Sequence, residues 1–276
     1  MARYWIAGLV LVTAGIAWYA CFGFRCPCSG RDDGKPDRPA SVAPPSSPPD
    51  AASPSKAAGS SAGAAAIRRA SEAGSHLFLF VYQGNSPETR EARDRFEAAV
   101  ARIGPSVQWM VMDRENPSEK DVIARLELEL ASTPVVLALA PNGAITGGIR
   151  PEELTEEKLR DSIASPILQK CLKSLQEGRL VFLCVRDKST PSTDPSWQGV
   201  NEFKEDERFK CYTDIVQVDP TDNAEKKLLQ DLQIDPHSTL PTTVLFMPPR
   251  TVAANVMGPT NKSDFVRALR PPSSGG

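Results

Sequence analysis

The sequence is short of the residues from which most catalytic sites are built. It has two histidines: His76 adjoins an apolar run, His237 lies in an Asp235-Pro-His-Ser loop, and neither has a motif around it. A Ser-His-Asp relay or a hydrolytic metal centre needs more than that. No glycine-rich phosphate loop of the P-loop or dinucleotide type is present, and no cofactor is implied. Six cysteines are scattered through 276 residues without forming a Cys-x-x-Cys pair. There is no basic excess either: 32 Lys and Arg face 34 Asp and Glu, for a net charge of −2. A nucleic-acid partner would call for a clustered positive face, so that class is set aside. What remains is a chain that is 41% hydrophobic and 24% charged, a globular profile at a length that suits two ordinary domains.

The amino terminus differs from everything after it. Ile6 to Phe24 carries no charge and is bounded by Arg3 and Arg25. As a helix it would be about 28 Å long, close to the ~30 Å hydrocarbon core of a bilayer. Three readings fit: an uncleaved anchor, a lipoprotein signal acylated at Cys21, and an ordinary cleaved signal. The length of the run, and its end in Trp18, Tyr19, Phe22 and Phe24, favour the anchor, because cleavage sites prefer small residues and interfacial belts prefer aromatics. Residues 1–28 are therefore expected to be a membrane anchor or signal segment. By the count of positive charges, Arg25, Arg31, Lys35 and Arg38 following the span would hold the rest of the chain in the cytoplasm. The short amino-terminal tail and the long spacer argue the opposite, and an extracytoplasmic location is the expectation.

Residues 29–66 are rich in Pro, Ala, Ser and Gly, with Val42 the largest aliphatic residue, and are expected to be a disordered linker without a core. Its seven prolines should stiffen it toward polyproline II and lengthen its reach. Residues 271–276 read as a frayed tail.

Between these ends lies an internal repeat. Met110-Val-Met-Asp113 followed by Glu119-Lys120 returns as Val216-Gln-Val-Asp219 followed by Glu225-Lys226, 106 residues later. His76–Gln83 aligns with Arg179–Arg186, and Thr133-Pro134 with Leu240-Pro241. In the first copy Leu77–Val81 and Val107–Met112 are apolar runs of strand length, expected to be parallel central strands. Glu88–Ile103 places Ala92, Phe96, Ala99 and Val100 at helical spacing behind Pro87, a position where proline is tolerated. A second helix is expected over Lys120–Leu130, a third strand over Val135–Ala140, a Pro141-Asn142-Gly143 hairpin into a fourth strand, and a closing helix over Thr155–Ile163. Asp113 and Asp219 are expected to cap the turns that follow their strands.

A unit of this order, with proline before its third strand and an Asn-Gly hairpin after it, resembles the thioredoxin superfamily. The resemblance implies an α/β chain of two tandem thioredoxin-like domains, over residues 67–165 and 166–270. It puts Pro134 and Pro241 in the place of the family's cis-proline, and Gly147-Gly148 and Gly258 in that of a glycine after the fourth strand. Where the family carries Cys-x-x-Cys, this chain reads Asn85-Ser86-Pro87-Glu88 in the first copy and a longer loop, Asp187 to Trp197, in the second. A helix start lowers the pKa of the attacking thiol, and neither place has a thiol. Disulfide exchange by that mechanism is excluded.

The remaining cysteines do not restore it. Cys184 lies within an apolar strand, Cys171 on a helical stretch before it, and Cys211 after the next helix; Cys26 and Cys28 are at most weak metal candidates, since their spacing is not that of a standard zinc site. Two function classes follow. One is a membrane-tethered binding or scaffolding protein that contacts a protein or peptide in the grooves lined by Asn85, Ser86, Glu88, Thr133 and Pro134, and by Trp197, Leu240 and Pro241. The other is an unconventional redox protein using Cys171, Cys184 or Cys211. The first is favoured.

Overall fold

The computed structural model describes residues 61–187 and 193–270. Two four-stranded mixed sheets follow one another in the chain. The first comprises β1 (His76–Tyr82), β2 (Val107–Asp113), β3 (Val135–Leu139) and β4 (Ile145–Ile149), with helices α1 (Ala62–Glu72), α2 (Pro87–Ile103), α3 (Lys120–Arg125) and α4 (Glu156–Asp161). Its strand order is β2-β1-β3-β4. β1 runs parallel to β2, with His76 opposite Val107, and antiparallel to β3, with Val81 opposite Val135. The second comprises α5 (Pro166–Gln176), β5 (Leu180–Val185), α6 (Pro195–Glu205), β6 (Thr213–Val218), α7 (Lys226–Asp231), β7 (Thr242–Met247), β8 (Thr251–Met257) and α8 (Lys262–Ala268). Its order, β6-β5-β7-β8, and its strand directions are the same.

The uninterrupted apolar run of β1 follows from cover on both faces. Leu77, Leu79 and Val81 enter a core with Ala66, Ala70, Val122 and Ile123, while Phe78 and Phe80 enter another with Ala92, Phe96, Val100 and Leu159. β5 repeats the alternation, Val181, Leu183 and Val185 on one side and Phe182 and Cys184 on the other. On the latter side Phe182, Phe203 and Phe265 meet edge to face, their centroids 4.8 to 6.5 Å apart.

Helix boundaries are set by capping and by backbone handedness. Ser86 accepts from the Thr89 amide at 3.2 Å with Pro87 at the first helical position, and Gly104 at φ 97° ends α2. α3 stops short of the expected Leu130 because Glu127 adopts φ 56°. Gln233, at φ 57°, does the same after α7. In both copies a later amide returns to the helix, Leu128 to the Ile123 carbonyl at 3.0 Å and Ile234 to the Leu229 carbonyl at 2.9 Å. Asp113 and Asp219 accept from the amides two residues on, each at 2.9 Å.

Two expectations are corrected. The spacer reading extends too far: α1 takes in Ala62–Ala66, with Gly63, Ala66 and Ala70 buried. Small residues carry little hydrophobic signal, yet they let a helix backbone lie close to its neighbour. A Cβ on Gly63 would stand 3.2 Å from the Met112 sulfur and closer still to the Glu119 carboxylate. Gly147 and Gly148 lie within β4 rather than after it; a Cβ on Gly147 would come within 3.0 Å of the Ser162 Cβ, where the end of α4 crosses the strand. Gly258 does follow its strand, at φ 80°.

α5 joins the two units. Its Cys171 and Leu175 pack on its own sheet, while Leu172 and Leu168 pack with Ala140, Ala144 and Ala164. The Gln176 amide completes the outer edge of β4, accepting from the Ile145 N–H at 2.9 Å and donating to the Ile145 carbonyl at 2.7 Å. Arg250, from the β7–β8 turn, donates to that carbonyl at 2.5 Å. Among the described residues no helix is long and apolar enough to cross a membrane; Ile6–Phe24, Cys21, Cys26, Cys28, the spacer up to residue 60 and the tail 271–276 lie outside them.

Candidate binding groove

Because β1 and β3 are antiparallel with Val81 opposite Val135, the chain leaving β1 and the chain entering β3 meet at the same end of the sheet. Asn85, Ser86 and Glu88 stand on one side, exposed; Thr133 and Pro134 stand on the other, half-buried, and their peptide bond is cis. Ser86 is the N-cap of α2, and its hydroxyl, by hydrogen bonding, holds the Glu88 carboxyl below its usual range. Arg114 fixes the rim. Its guanidinium donates to the Gln83 side-chain oxygen and, at 2.6 Å, to the Ala131 carbonyl, so the approach to Thr133 is tied to the loop before α2. Among the described residues no hydrogen bond engages the Thr133 amide or carbonyl.

The second copy has the same architecture with a different filling. β5 and β7 pair Val185 with Thr242, which brings Arg186, Asp194, Ser196 and Trp197 to Pro241. They enclose, with Cys184, a hollow of about 10 Å³, room for about one water. Trp197 is half-buried in the first turn of α6, with the Arg186 guanidinium 4.8 Å from its ring centroid. Asp194 caps the helix through the Trp197 amide at 3.0 Å. Leu240–Pro241 is not cis, contrary to the resemblance; trans is the form an X–Pro bond takes unless its surroundings select the other. The Ser238 hydroxyl accepts from the Leu240 amide at 3.2 Å and donates to its carbonyl at 3.3 Å. The rim that is open at Thr133 is therefore closed at Leu240. The Leu240 side chain is exposed, beside Gly258. Residues 188–192 of the longer loop lie outside the described residues.

Of the thiols, only Cys184 borders either rim, from inside β5. Cys171 and Cys184 are buried, and burial pushes each thiol up to about 12. Cys211 is half-buried in the 3-10 turn at Lys210–Tyr212.

Two residues that served in the sequence only as repeat markers have a larger part. Glu119 and Glu225 are buried, and each carboxylate sits at the start of the helix that opens its domain. Glu119 accepts from the Gly63 amide with both oxygens at 3.1 Å; Glu225 accepts from the Ile167 amide at 2.9 Å and from the Ser165 hydroxyl. A helix start favours a carboxylate. The signal was their recurrence at one offset. Arg114 and Arg250 had none, since each reaches a backbone carbonyl, Ala131 or Ile145, that any residue type would supply.

No family model and no curated protein matches the sequence. Solved structures with some likeness include the first two thioredoxin domains of Saccharomyces cerevisiae Eps1p (12% identity, TM-score 0.26, covering 83% of this chain and 100% of that one). Human ERp44 in a zinc-bound form gives 12% identity and a TM-score of 0.31, over 73% of this chain and 56% of its own. The NTD_N/C domain of the alkylhydroperoxide reductase AhpF from Enterococcus faecalis gives 12% and 0.25, over 74% and 97%. At these scores the likeness carries nothing about function. Strand order, strand directions and the helices on each face make this chain a tandem of two thioredoxin-like domains without a Cys-x-x-Cys motif.

Proposed function

We propose that the chain is a redox-inactive binding or scaffolding protein, tethered to a membrane through residues 6–24 with its domains on the extracytoplasmic side, and that the first domain's groove takes an extended segment of a protein partner. The observation that carries this reading is the contrast at the two rims. Thr133 presents an unengaged amide and carbonyl beside exposed Asn85 and Ser86, the arrangement strand addition uses, whereas Leu240 is closed by Ser238 and Trp197 is among the residues that narrow the space at Pro241 to about 10 Å³. A redox role for Cys171 or Cys184 is disfavoured, because a thiol raised to about 12 supplies almost no thiolate at neutral pH.

The test is photocrosslinking of the full chain in its own cells, with the crosslinking residue at Asn85. A partner should be captured, and Thr133→Pro, which removes the rim amide, should reduce its recovery roughly tenfold, while Trp197→Ala leaves it unchanged. Equal recovery from the Thr133→Pro chain, with its melting curve intact, would sink the groove reading. Insulin reduction by the chain that is lost on replacing Cys171, Cys184 and Cys211 by Ser would contradict the redox-inactive reading. A phosphatase fused after Gly276 reports the side of the membrane: activity supports export and silence opposes it.

A further inference from the structure

Arg208, Lys262, Arg267 and Arg270 line one open hollow of about 280 Å³ on the second domain, together with Ser263 and Val266. The four cations come from two separate stretches, the turn after α6 and the end of the chain from α8 onward, and no carboxylate lines the space. Asp206 stands behind it with its side chain only 11% exposed. It accepts a fork from Arg208, Nε at 2.9 Å and Nη2 at 2.8 Å, and Lys262 Nζ at 2.6 Å. The Arg208 guanidinium also lies over the Phe209 ring at 5.0 Å. Two of the four cations are thus held in place by one carboxylate, and Asp264 offsets Arg267 at 3.6 Å. Positive charge is left over, in a chain whose net charge is −2.

The repeat shows that the fold does not require this charge. At the offset that relates the two copies, Lys262, Ser263 and Arg267 stand where the first domain has Glu156, Glu157 and Asp161. α4 and α8 are the same helix of the architecture, and the first copy builds it with an acidic first turn, its Glu156 paired to Arg160 at 2.9 Å. Two acidic positions have become basic and a third has lost its charge, all facing one hollow.

We propose that this hollow binds a phosphate group. Arginine guanidinium offers parallel N–H donors that match two phosphate oxygens, and lysine adds a point charge. Val266 gives an apolar contact for a carbon chain attached to the phosphate. A small soluble phosphate and a phospholipid headgroup present the same chemistry, and the experiment separates them.

The full chain is reconstituted in phosphatidylcholine nanodiscs, and hydrogen exchange of the α8 amides is followed in chloride, in millimolar inorganic phosphate at matched ionic strength, and with part of the lipid replaced by phosphatidylglycerol. Phosphate or the anionic lipid should slow exchange about fivefold or more; the condition that does so identifies the source. Arg267→Gln with Arg270→Gln, neither of which holds Asp206, should abolish the effect. Ser263→Glu, the first domain's residue at that position, should do the same if the double variant melts early. Exchange that is unchanged in both conditions, or slowing that persists in the variants, overturns the proposal.

Discussion

α1 and α5 open their domains in the same way and end in different company. Each begins at a serine cap, Ser61 or Ser165, receives a buried glutamate at its amino terminus, and closes with a left-handed glycine, Gly74 or Gly178. α1 then buries one face and turns Arg68 and Glu72 to solvent, where they form a loose ion pair at 3.9 Å. α5 has a second contact face, because Leu172, buried against Ala140, Ala144 and Ala164, and Gln176, hydrogen-bonded to Ile145, stand where α1 has Arg68 and Glu72. Among the described residues α1 packs on one sheet, while α5 joins the two units. An internal repeat therefore acts as its own control: what both copies share belongs to the architecture, and what differs marks what each copy does.

The largest expected effect tests the shared feature. Glu225→Ala strands the Ile167 amide and the Ser165 hydroxyl at the junction of the domains and should cost about 3 kcal/mol in denaturant unfolding, since breaking a buried charge-assisted bond leaves its partners unsatisfied. Glu119→Ala strands the Gly63 amide alone and should cost nearer 2 kcal/mol. If both losses are within error of zero, the glutamates do not anchor the opening helices; if they are equal and large, the Ser165 hydroxyl adds nothing to the bond at Ile167.

Next comes the feature that differs. Leu172→Arg gives α5 the side chain that α1 carries at that position, in contact with Ala140, Ala144 and Ala164. It should destabilise the junction by roughly 2 kcal/mol and split a single unfolding transition into two as the domains uncouple. A single transition shifted by that amount would mean that the hydrogen bonds of Gln176 and Arg250 to Ile145 hold the domains together without the leucine.

These differences also show what could be read from the sequence. The strands, the two sheets and the hairpin were legible because apolar runs such as Leu77–Val81 and a turn such as Asn142-Gly143 are local signals. That the loop before α2 and Thr133-Pro134 lie at one end of the sheet was implied by the resemblance, and the pairing of β1 with β3 is its physical reason. α1 was missed because it packs through Gly63, Ala66 and Ala70, and small residues in an Ala/Ser-rich stretch read as spacer. The isomer at Leu240–Pro241 and the closure of that rim by Ser238 depend on tertiary surroundings, and the reach of Arg250 to a backbone carbonyl leaves no trace in composition.

The smallest expected effect concerns acid, and it divides the domains. His76 opens β1 where Leu180 opens β5; His76 is buried with Nε2 unpartnered, while Arg179, the residue before β5, pairs with Asp214 at 2.6 Å. Burial lowers the His76 pKa, against a backbone hydrogen bond to Ala164 that raises it. The unfolded chain then binds a proton more readily than the folded one, so the stability His76 contributes is present above the ordinary histidine value, near 6.5, and is lost as pH falls below it. At Asp214 burial raises the pKa, but hydrogen bonds from Ser174 and Arg179 outweigh it and the net shift is downward. Its contribution is present above the ordinary aspartate value, near 4, and disappears only as pH falls below that. Acid should therefore loosen the first domain before the second. Between neutral pH and pH ~5 amide protection should fall more in the first domain than in the second. Hydrogen exchange read separately on β1 and β5 checks this, and His76→Gln should remove the difference; a first domain that keeps its acid response in that variant would place the titrating group elsewhere.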